Sequence, residues 1–238
     1  MLVIRPAVRD DIEGIMNLEI ETFEPVGDGA MASRDLMLSR INLCNSIERH
    51  EPDWFWVADY DGKIVGDMIL QPTHMQPENC ISWNNATDNG TLVKTFNRHG
   101  NNIYGVSLAV SHNFAPSGTT ELLIHKLMIL WIKHNMKRFF ICSRMPGYKK
   151  ANEETGVTAE NYWRLRCDNG KPADWMLRLF SEMIGVKPVR LLVDGFIVDE
   201  DSGGHGVLCV NDDPIEILDI LATRIYNEVS TIGIKEDK

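Results

Sequence analysis

The stretch from Ile103 to Cys142 constrains the fold of this chain more than any other. Ile103 to Val110 reads as an extended apolar segment, and Phe139 to Cys142 as a second strand. Between them, a turn of small and polar residues, Ser111-His112-Asn113-Phe114-Ala115-Pro116-Ser117-Gly118-Thr119-Thr120, opens a long apolar helical run. A helix start of this kind can hold an anion, because its first amides have no intrahelical acceptor and the aligned peptide dipoles place positive charge there. Gly118 lets a ligand approach closely, and Ser117, Thr119 and Thr120 add hydroxyl donors. The same residues also read as an ordinary strand-to-helix connection, with Ser117 as the N-cap and Glu121 favourable in the first turn, and Glu121 counts against a bound anion.

With 238 residues and 44% apolar content, the chain can bury a core as one large domain, or as one domain with an added subdomain. No apolar run approaches the ~20 residues that cross a bilayer. Met1-Leu2-Val3-Ile4-Arg5-Pro6 lacks a signal-peptide pattern, so the expected location is the cytoplasm, with no membrane partner. Five widely spaced cysteines offer neither a disulfide framework nor a CxxC metal pair. A formal net charge of -10 argues against a general nucleic-acid binder and favours a small or cationic substrate. The seven histidines lack paired spacing such as HExxH, and no metal is expected.

Along the chain, Leu2 to Arg5 predicts a first strand, and Pro6 with Asp10 and Asp11 opens a helix carrying Ile12, Ile15, Met16 and Leu18. A second helix is predicted from Ser33 to Ile47. Trp54 to Tyr60, Asp61-Gly62 and Lys63 to Leu70 form the clearest hairpin, since Asp-Gly between apolar runs favours a tight primed turn. Residues 71–101, rich in Pro, Asn, Gly and Thr, read as a long excursion rather than a core element, and residues 144–171 as a second polar insertion. A helix from Ala173 to Ile184 stops at Gly185. Strands follow at Lys187 to Val193 and His205 to Val210, and Pro214 opens a terminal helix over about 214–230. No linker separates independent domains, so residues 1–238 read as a single domain.

The order strand, two helices, three strands, helix, strand, helix, strand, strand resembles the GNAT superfamily of N-acyltransferases. Leu108-Ala109-Val110 matches the end of that family's fourth strand. The Arg/Gln-x-x-Gly-x-Gly/Ala loop that receives the coenzyme A pyrophosphate has drifted: Ala115 stands where Arg would be and Pro116 where Gly is common, while Gly118 matches and Thr120 replaces the last small residue. A narrower resemblance, to the GNAT-like domain found ahead of carbon–nitrogen hydrolase domains in some bacterial proteins, covers most of residues 80–210. Its landmarks are Trp83-x-x-x-Thr87-x-x-Gly90, Gly100-x-x-Ile103-Tyr104-Gly105, Arg144-x-Pro146-Gly147-Tyr148 and Asp199-x-x-Ser202-Gly203-Gly204.

The resemblance implies an α/β (α+β) fold: a central mixed, mostly antiparallel twisted sheet flanked by helices, with insertions and an added C-terminal helix. It implies transfer of an acyl group, acetyl in the first instance, from an acyl-CoA co-substrate to a small-molecule or peptide amine, by a monomer or homodimer. A backbone amide of Ala109 or Val110 would polarise the thioester carbonyl, and residues 115–120 would receive the pyrophosphate. Four residues before Gly185 the family usually carries a Tyr that protonates the leaving thiolate; here it is Ser181, and Tyr148 is the substitute acid. Asp67 and His112 are the base candidates, and Arg144, Lys149 and Lys150 are candidate phosphate contacts. For each of these, packing or solvation alone is the competing reading. Ala115, Pro116 and Ser181 also motivate two alternatives: an acyl-CoA-binding sensor or interaction module without turnover, and a transferase using long-chain acyl or acyl-carrier-protein donors.

Overall fold

In the computed structural model, residues 1–45, 53–115, 118–213, 215, 218 and 219 are described. Seven strands make one sheet: β1 (Leu2–Pro6), β2 (Phe55–Tyr60), β3 (Lys63–Thr73), β4 (Asn102–Val110), β5 (Arg138–Ser143), β6 (Lys187–Leu192) and β7 (Gly206–Asn211). Their spatial order is β1-β2-β3-β4-β5-β7-β6, antiparallel at every step except the parallel pair β4–β5. This is the mixed, mostly antiparallel, helix-flanked sheet expected. The hairpin turn places Asp61 at φ 48° and Gly62 at φ 88°, the left-handed pair that a primed turn requires.

Helices cover both faces. On one lie α1 (Ile12–Phe23), α2 (Arg34–Cys44) and the short α3 (Trp83–Thr87); α4 (Thr119–Lys133) lies on the other. Two glycines seat these layers: a Cβ on Gly14 of α1 would collide with Ile64, and one on Gly66 of β3 would press on Thr119 and Leu123 of α4. α2 starts where Ser33 caps it by accepting from the Leu36 amide. Downstream, α5 (Tyr148–Thr155), α6 (Ala159–Tyr162) and α7 (Trp175–Ile184) complete the set. Asp174 caps α7 by accepting from the Met176 and Leu177 amides, and Gly185 ends it at φ 67°.

Some expectations need correction. Residues 71–101 are not only an excursion: β3 runs on to Thr73, and Cys80, Ala86 and Leu92 are fully buried in the core. The apolar side chains dispersed among the turn residues carry that burial, held by left-handed conformations at Asp88, Asn89 and Gly90. The insertion after β5 likewise buries Met145, Ala159, Tyr162 and Trp163. Gly118, at φ 80°, occupies the N-cap position of α4, while Pro116 and Ser117 lie outside the described residues. Most of the expected terminal helix lies outside them too; residues 215, 218 and 219 are helical.

The feature that positions a site is a split in the sheet. Ser107 pairs with Ile69 but Gly105 with Leu70, so Val106 is an extra residue in β4, a bulge that bends the strand. β4 pairs with β5 only through Asn102–Arg138, Ile103–Phe139 and Tyr104–Phe140. Beyond the bulge β4 stays with β3 as far as Val110, and β5 stays with β7 as far as Ser143. The two parallel strands therefore diverge, and a cleft opens between their C-terminal halves.

Candidate functional site

One wall of the cleft is the edge of β4. The Ser111 amide donates to the Val65 carbonyl (2.9 Å), and Ala109 pairs with Asp67. Backbone groups alternate sides along a strand, so Ala109 and Ser111 direct theirs at β3 while Leu108 and Val110 direct theirs at the cleft. Of the two amides singled out in the sequence, that of Val110 faces the open side, and Leu108 joins it.

At the end of this wall the chain makes a tight turn, the Phe114 and Ala115 amides both donating to the Ser111 carbonyl (2.8 and 3.0 Å). Ala115 is exposed, Thr119 is buried, Thr120 is half-buried, and Gly118 has open space where a Cβ would be. Left-handed geometry, rather than close packing, is what calls for glycine there. His112 sits exposed on this turn with its amide donating to Glu21 (2.8 Å). Burial would raise the Glu21 carboxyl, but hydrogen bonds from the Ser111 hydroxyl and the His112 amide outweigh it and hold the group below its ordinary value.

Behind β4, on the α1/α2 face, is a cluster of buried charge. Asp67 is wholly buried, and neither carboxylate oxygen has a hydrogen-bond partner among the described residues. Ser107 shares its face of the sheet, two residues along from Ala109, and its buried hydroxyl is also unpartnered among those residues. Glu19 of α1 accepts from the Ala32 amide (2.9 Å). Arg40 of α2 donates to the Gly90 carbonyl (2.8 Å) and to the Met37 sulfur (3.6 Å). Burial first, and the Glu19 charge second, push the Asp67 carboxyl well above its ordinary value, with Arg40 opposing them. Burial raises Glu19 as well, against the Ala32 amide and Arg40, and it lowers Arg40 against Glu19. A fully buried carboxyl with no partner among the described residues is costly to the fold.

Trp83 wedges into the split. Its indole N–H donates to the Val106 carbonyl (2.9 Å) at the bulge, its amide donates to Gly195, and its ring stacks on Phe196 (6.2 Å) with Arg40 6.0 Å away. The Thr87 hydroxyl donates to the Trp83 carbonyl (2.7 Å) and accepts from the Gly90 amide (3.0 Å). The Trp83–Thr87–Gly90 landmark is thus one hydrogen-bonded unit that braces the bulge and anchors Arg40.

The two downstream landmarks lock to each other across the end of β5. Arg144 makes a bidentate pair with the buried Asp199 (2.7 and 2.8 Å). The Met145 amide donates to the Ser202 hydroxyl (2.9 Å), and the Lys149 amide to the Asp201 carbonyl (2.9 Å). A Cβ on Gly203 would press on the Tyr148 ring, and one on Gly147 would strike the Tyr162 hydroxyl. Tyr148 opens α5 with its ring between those of Tyr162 (5.6 Å) and His205 (5.9 Å). Of the three candidate phosphate contacts in this segment, Arg144 pairs with Asp199, Lys149 with Glu200 and Lys150 with Glu154, the two lysine pairs at the surface.

Asp67 thus lies within β3, His112 just past β4 and Tyr148 just past β5, and no hydrogen bond, ion pair or ring contact among the described residues joins them. Sequence reasoning missed Glu19, Arg40 and Ser107. A glutamate inside the apolar stripe of α1 and an arginine between Met37 and Ile41 were the available signals. A depression of about 220 Å³ lined by Thr73, His74, Met75, Lys94, Thr95 and Asn97 lies at the other end of β3, where it pairs with the start of β4. Among the described residues no group of three or more His, Cys, Asp or Glu is placed to hold a metal ion, and no helix is long and apolar enough to cross a membrane.

No protein-family model matches the chain. Among curated proteins it is similar to a protein of Bacillus subtilis (strain 168) described as the uncharacterized N-acetyltransferase YkwB, with 28% identity over 208 residues, 87% of each chain. Among solved structures it is similar to the loading GNATL domain of CurA from Lyngbya majuscula, with 15% identity, 89% and 98% of the two chains covered and a TM-score of 0.72. It is also similar to the GphF GNAT-like decarboxylase in complex with isobutyryl-CoA, with 20% identity, 88% and 98% covered and a TM-score of 0.70. These likenesses show the GNAT fold.

Proposed function

We propose that this chain is a GNAT-type N-acyltransferase that moves an acyl group, acetyl in the first instance, from acyl-CoA to a small-molecule amine by direct attack. The observation that carries this reading is the split of β4 from β5 beyond Val106, which presents strand amides to a thioester on one side of β4 with the buried acid Asp67 behind it. The relative described as an N-acetyltransferase, and the neighbour described with isobutyryl-CoA, support the same chemistry.

In this reading the pantetheine arm lies along β4 and the pyrophosphate reaches the start of α4, where Gly118 leaves room. The Val110 or Leu108 amide donates to the thioester oxygen as negative charge develops on it. Asp67, directly or through water, takes the ammonium proton; the neutral nitrogen then forms the C–N bond, and the C–S bond breaks. Tyr148, just past the end of β5, returns a proton to the thiolate. Holding both reactants in one cleft supplies much of the rate, which accommodates Ser181 on α7 where a Tyr is usual. The narrower likeness to hydrolase-linked GNAT domains is supported by the mutual contacts of the landmarks, and all of residues 1–238 are read as one domain.

A second reading is favoured by one observation. A buried carboxyl that keeps its proton more readily than an exposed one, near a strand edge with free amides, also suits decarboxylation of an acyl-CoA, the reaction named in the description of the GphF neighbour. There the C–C bond to carboxylate breaks, CO2 leaves, and Asp67 protonates the enolate. Calorimetric titration with acetyl-CoA, followed by thiol release with a panel of amines, tests the first reading. Amine-dependent thiol release establishes the transferase, and CO2 release from malonyl-CoA without free thiol establishes the decarboxylase. Tight binding with neither outcome leaves a sensor, or a donor with a longer or protein-borne acyl chain. Absence of any acyl-CoA binding overturns the CoA-dependent reading.

A further inference from the structure

We propose that Trp83 is a positioning residue for acyl transfer: it is the strut that holds β4 and β5 apart where they separate, and it thereby fixes where the Leu108 and Val110 amides stand; this rests on the transferase reading. The ground is what replaces the missing rung of the sheet. The last β4–β5 pair is Tyr104–Phe140, and that register, continued by two residues, would set Val106 level with Cys142, but the strands do not pair there. The Val106 carbonyl accepts instead from the Trp83 indole N–H (2.9 Å). The Trp83 amide in turn donates to the Gly195 carbonyl (3.0 Å), to which the Cys142 thiol also donates (3.8 Å). Val106, Trp83, Gly195 and Cys142 thus form one chain of hydrogen bonds across the split, with a side chain and a loop backbone in place of direct strand pairing.

Each link of this chain is seated. A Cβ on Gly195 would strike the Gly206 amide nitrogen, and one on Gly206 would strike the Cys142 sulfur, so the loop lies directly against β7 and, through it, against β5. On the other side the Trp83 carbonyl accepts from the Thr87 hydroxyl, the ring stacks on Phe196 with 29° between the planes, and a Cβ on Gly90 would press on the ring edge. The indole therefore has little room to shift. Val106 is buried, and a buried carbonyl that loses its donor has to find another, by closing toward β5 or by admitting water. Either change moves Leu108 and Val110, which follow two and four residues further along the same strand. Amides that stabilise a developing oxyanion act only when aimed at the place it will occupy, and a displacement of about 1 Å can cost about 10²-fold in rate. Trp83 touches no reacting atom in this reading; it acts through β4.

Trp83→Phe in the intact protein tests this, because it keeps an aromatic ring against Phe196 and removes the N–H. With an amine that the wild type acetylates, kcat should fall by about 10-fold or more, while the affinity for free CoA, which has no thioester oxygen to place, stays within about twofold by calorimetry. A spectroscopic readout separates positioning from packing: infrared difference spectra of bound acetyl-CoA labelled with carbon-13 at the carbonyl. In the wild type the strand amides should draw the carbonyl stretch below its solution frequency, and in Trp83→Phe the band should move back toward that frequency. If Trp83→Phe folds poorly, replacement of Trp83 by benzothienylalanine, which has the shape of tryptophan without the N–H, gives the same readings. A folded variant with wild-type kcat and an unmoved carbonyl band overturns the inference and leaves the transferase standing. Wild-type protein that binds acetyl-CoA but acetylates no amine overturns both.

Discussion

Asp67 lies directly opposite Ala109 across the β3–β4 ladder, so a wholly buried carboxyl, unpartnered among the described residues, and the strand edge that lines the cleft are held one pairing step apart. Replacing the acid by its neutral isostere therefore separates chemistry from stability. Asp67→Asn should lower kcat by about 10²–10⁴-fold, the range of a general base. It should also raise Tm at neutral pH. The folded pKa lies above the ordinary 3.8, so the folded protein holds a proton that the unfolded chain releases. The wild-type contribution is fully present below about pH 4 and is lost as pH rises through the folded pKa. Thermal melts of the two proteins should accordingly converge in acid and separate on the alkaline side; parallel profiles would place the ionisation elsewhere.

Arg144 is a structural residue on this geometry. Its bidentate pair with Asp199 would be broken by Arg144→Ala, leaving a carboxylate that is 1% exposed without its cation, at a cost of about 3–5 kcal/mol. Arg144→Lys keeps the charge but loses the fork and should fall in between. Denaturant melts check the order, and calorimetry with acetyl-CoA checks the role: Arg144→Lys should leave affinity within about twofold, since 1.4 kcal/mol would already be a tenfold change. A tenfold weakening would return Arg144 to the phosphate site.

Gly118 carries a backbone requirement with no steric one, at φ 80° and with no atom near the position of a Cβ. Gly118→Ala should destabilise by about 1–2 kcal/mol, the cost of a left-handed L-residue. It should weaken acetyl-CoA binding by distorting the turn. Gly118→Asn should recover most of both, because Asn visits this conformation readily. Failure of Asn to recover binding, with stability restored, would mean that a ligand approaches closely enough to need the missing side chain.

The sheet was legible because its signals are local. Asp61-Gly62 between apolar runs specifies a primed turn, and the cap-and-stop residues Ser33 and Gly185 mark helix ends through their own backbone geometry. The GNAT reading of Leu108 to Thr120 depended on spacing along one segment. The buried charged cluster was not legible in the same way. Glu19, Arg40, Asp67 and Ser107 come from α1, α2, β3 and β4, and only the sheet register and the packing of two helices bring them together. Trp83 was visible as a landmark, but its bond to the Val106 carbonyl was not, because a bulge has no side-chain signature. Tyr148 illustrates the converse. Its sequence neighbourhood suggested a turn, yet it opens α5 with its ring between Tyr162 and His205.

That placement sharpens the last prediction. Tyr148→Phe keeps the ring, and with it the contacts to Tyr162, His205 and Gly203, and removes only the hydroxyl. If the phenol protonates the departing thiolate, kcat should fall by about 10²-fold or more while acetyl-CoA affinity and Tm stay at wild-type values. Leaving-group dependence separates this from a packing effect. An acyl donor whose thiol has a lower pKa needs less help from an acid, so the deficit of the variant should shrink with an acyl thiophenol relative to acetyl-CoA. An equal deficit with both donors would assign Tyr148 to packing alone, and would leave the proton for the thiolate to come from solvent.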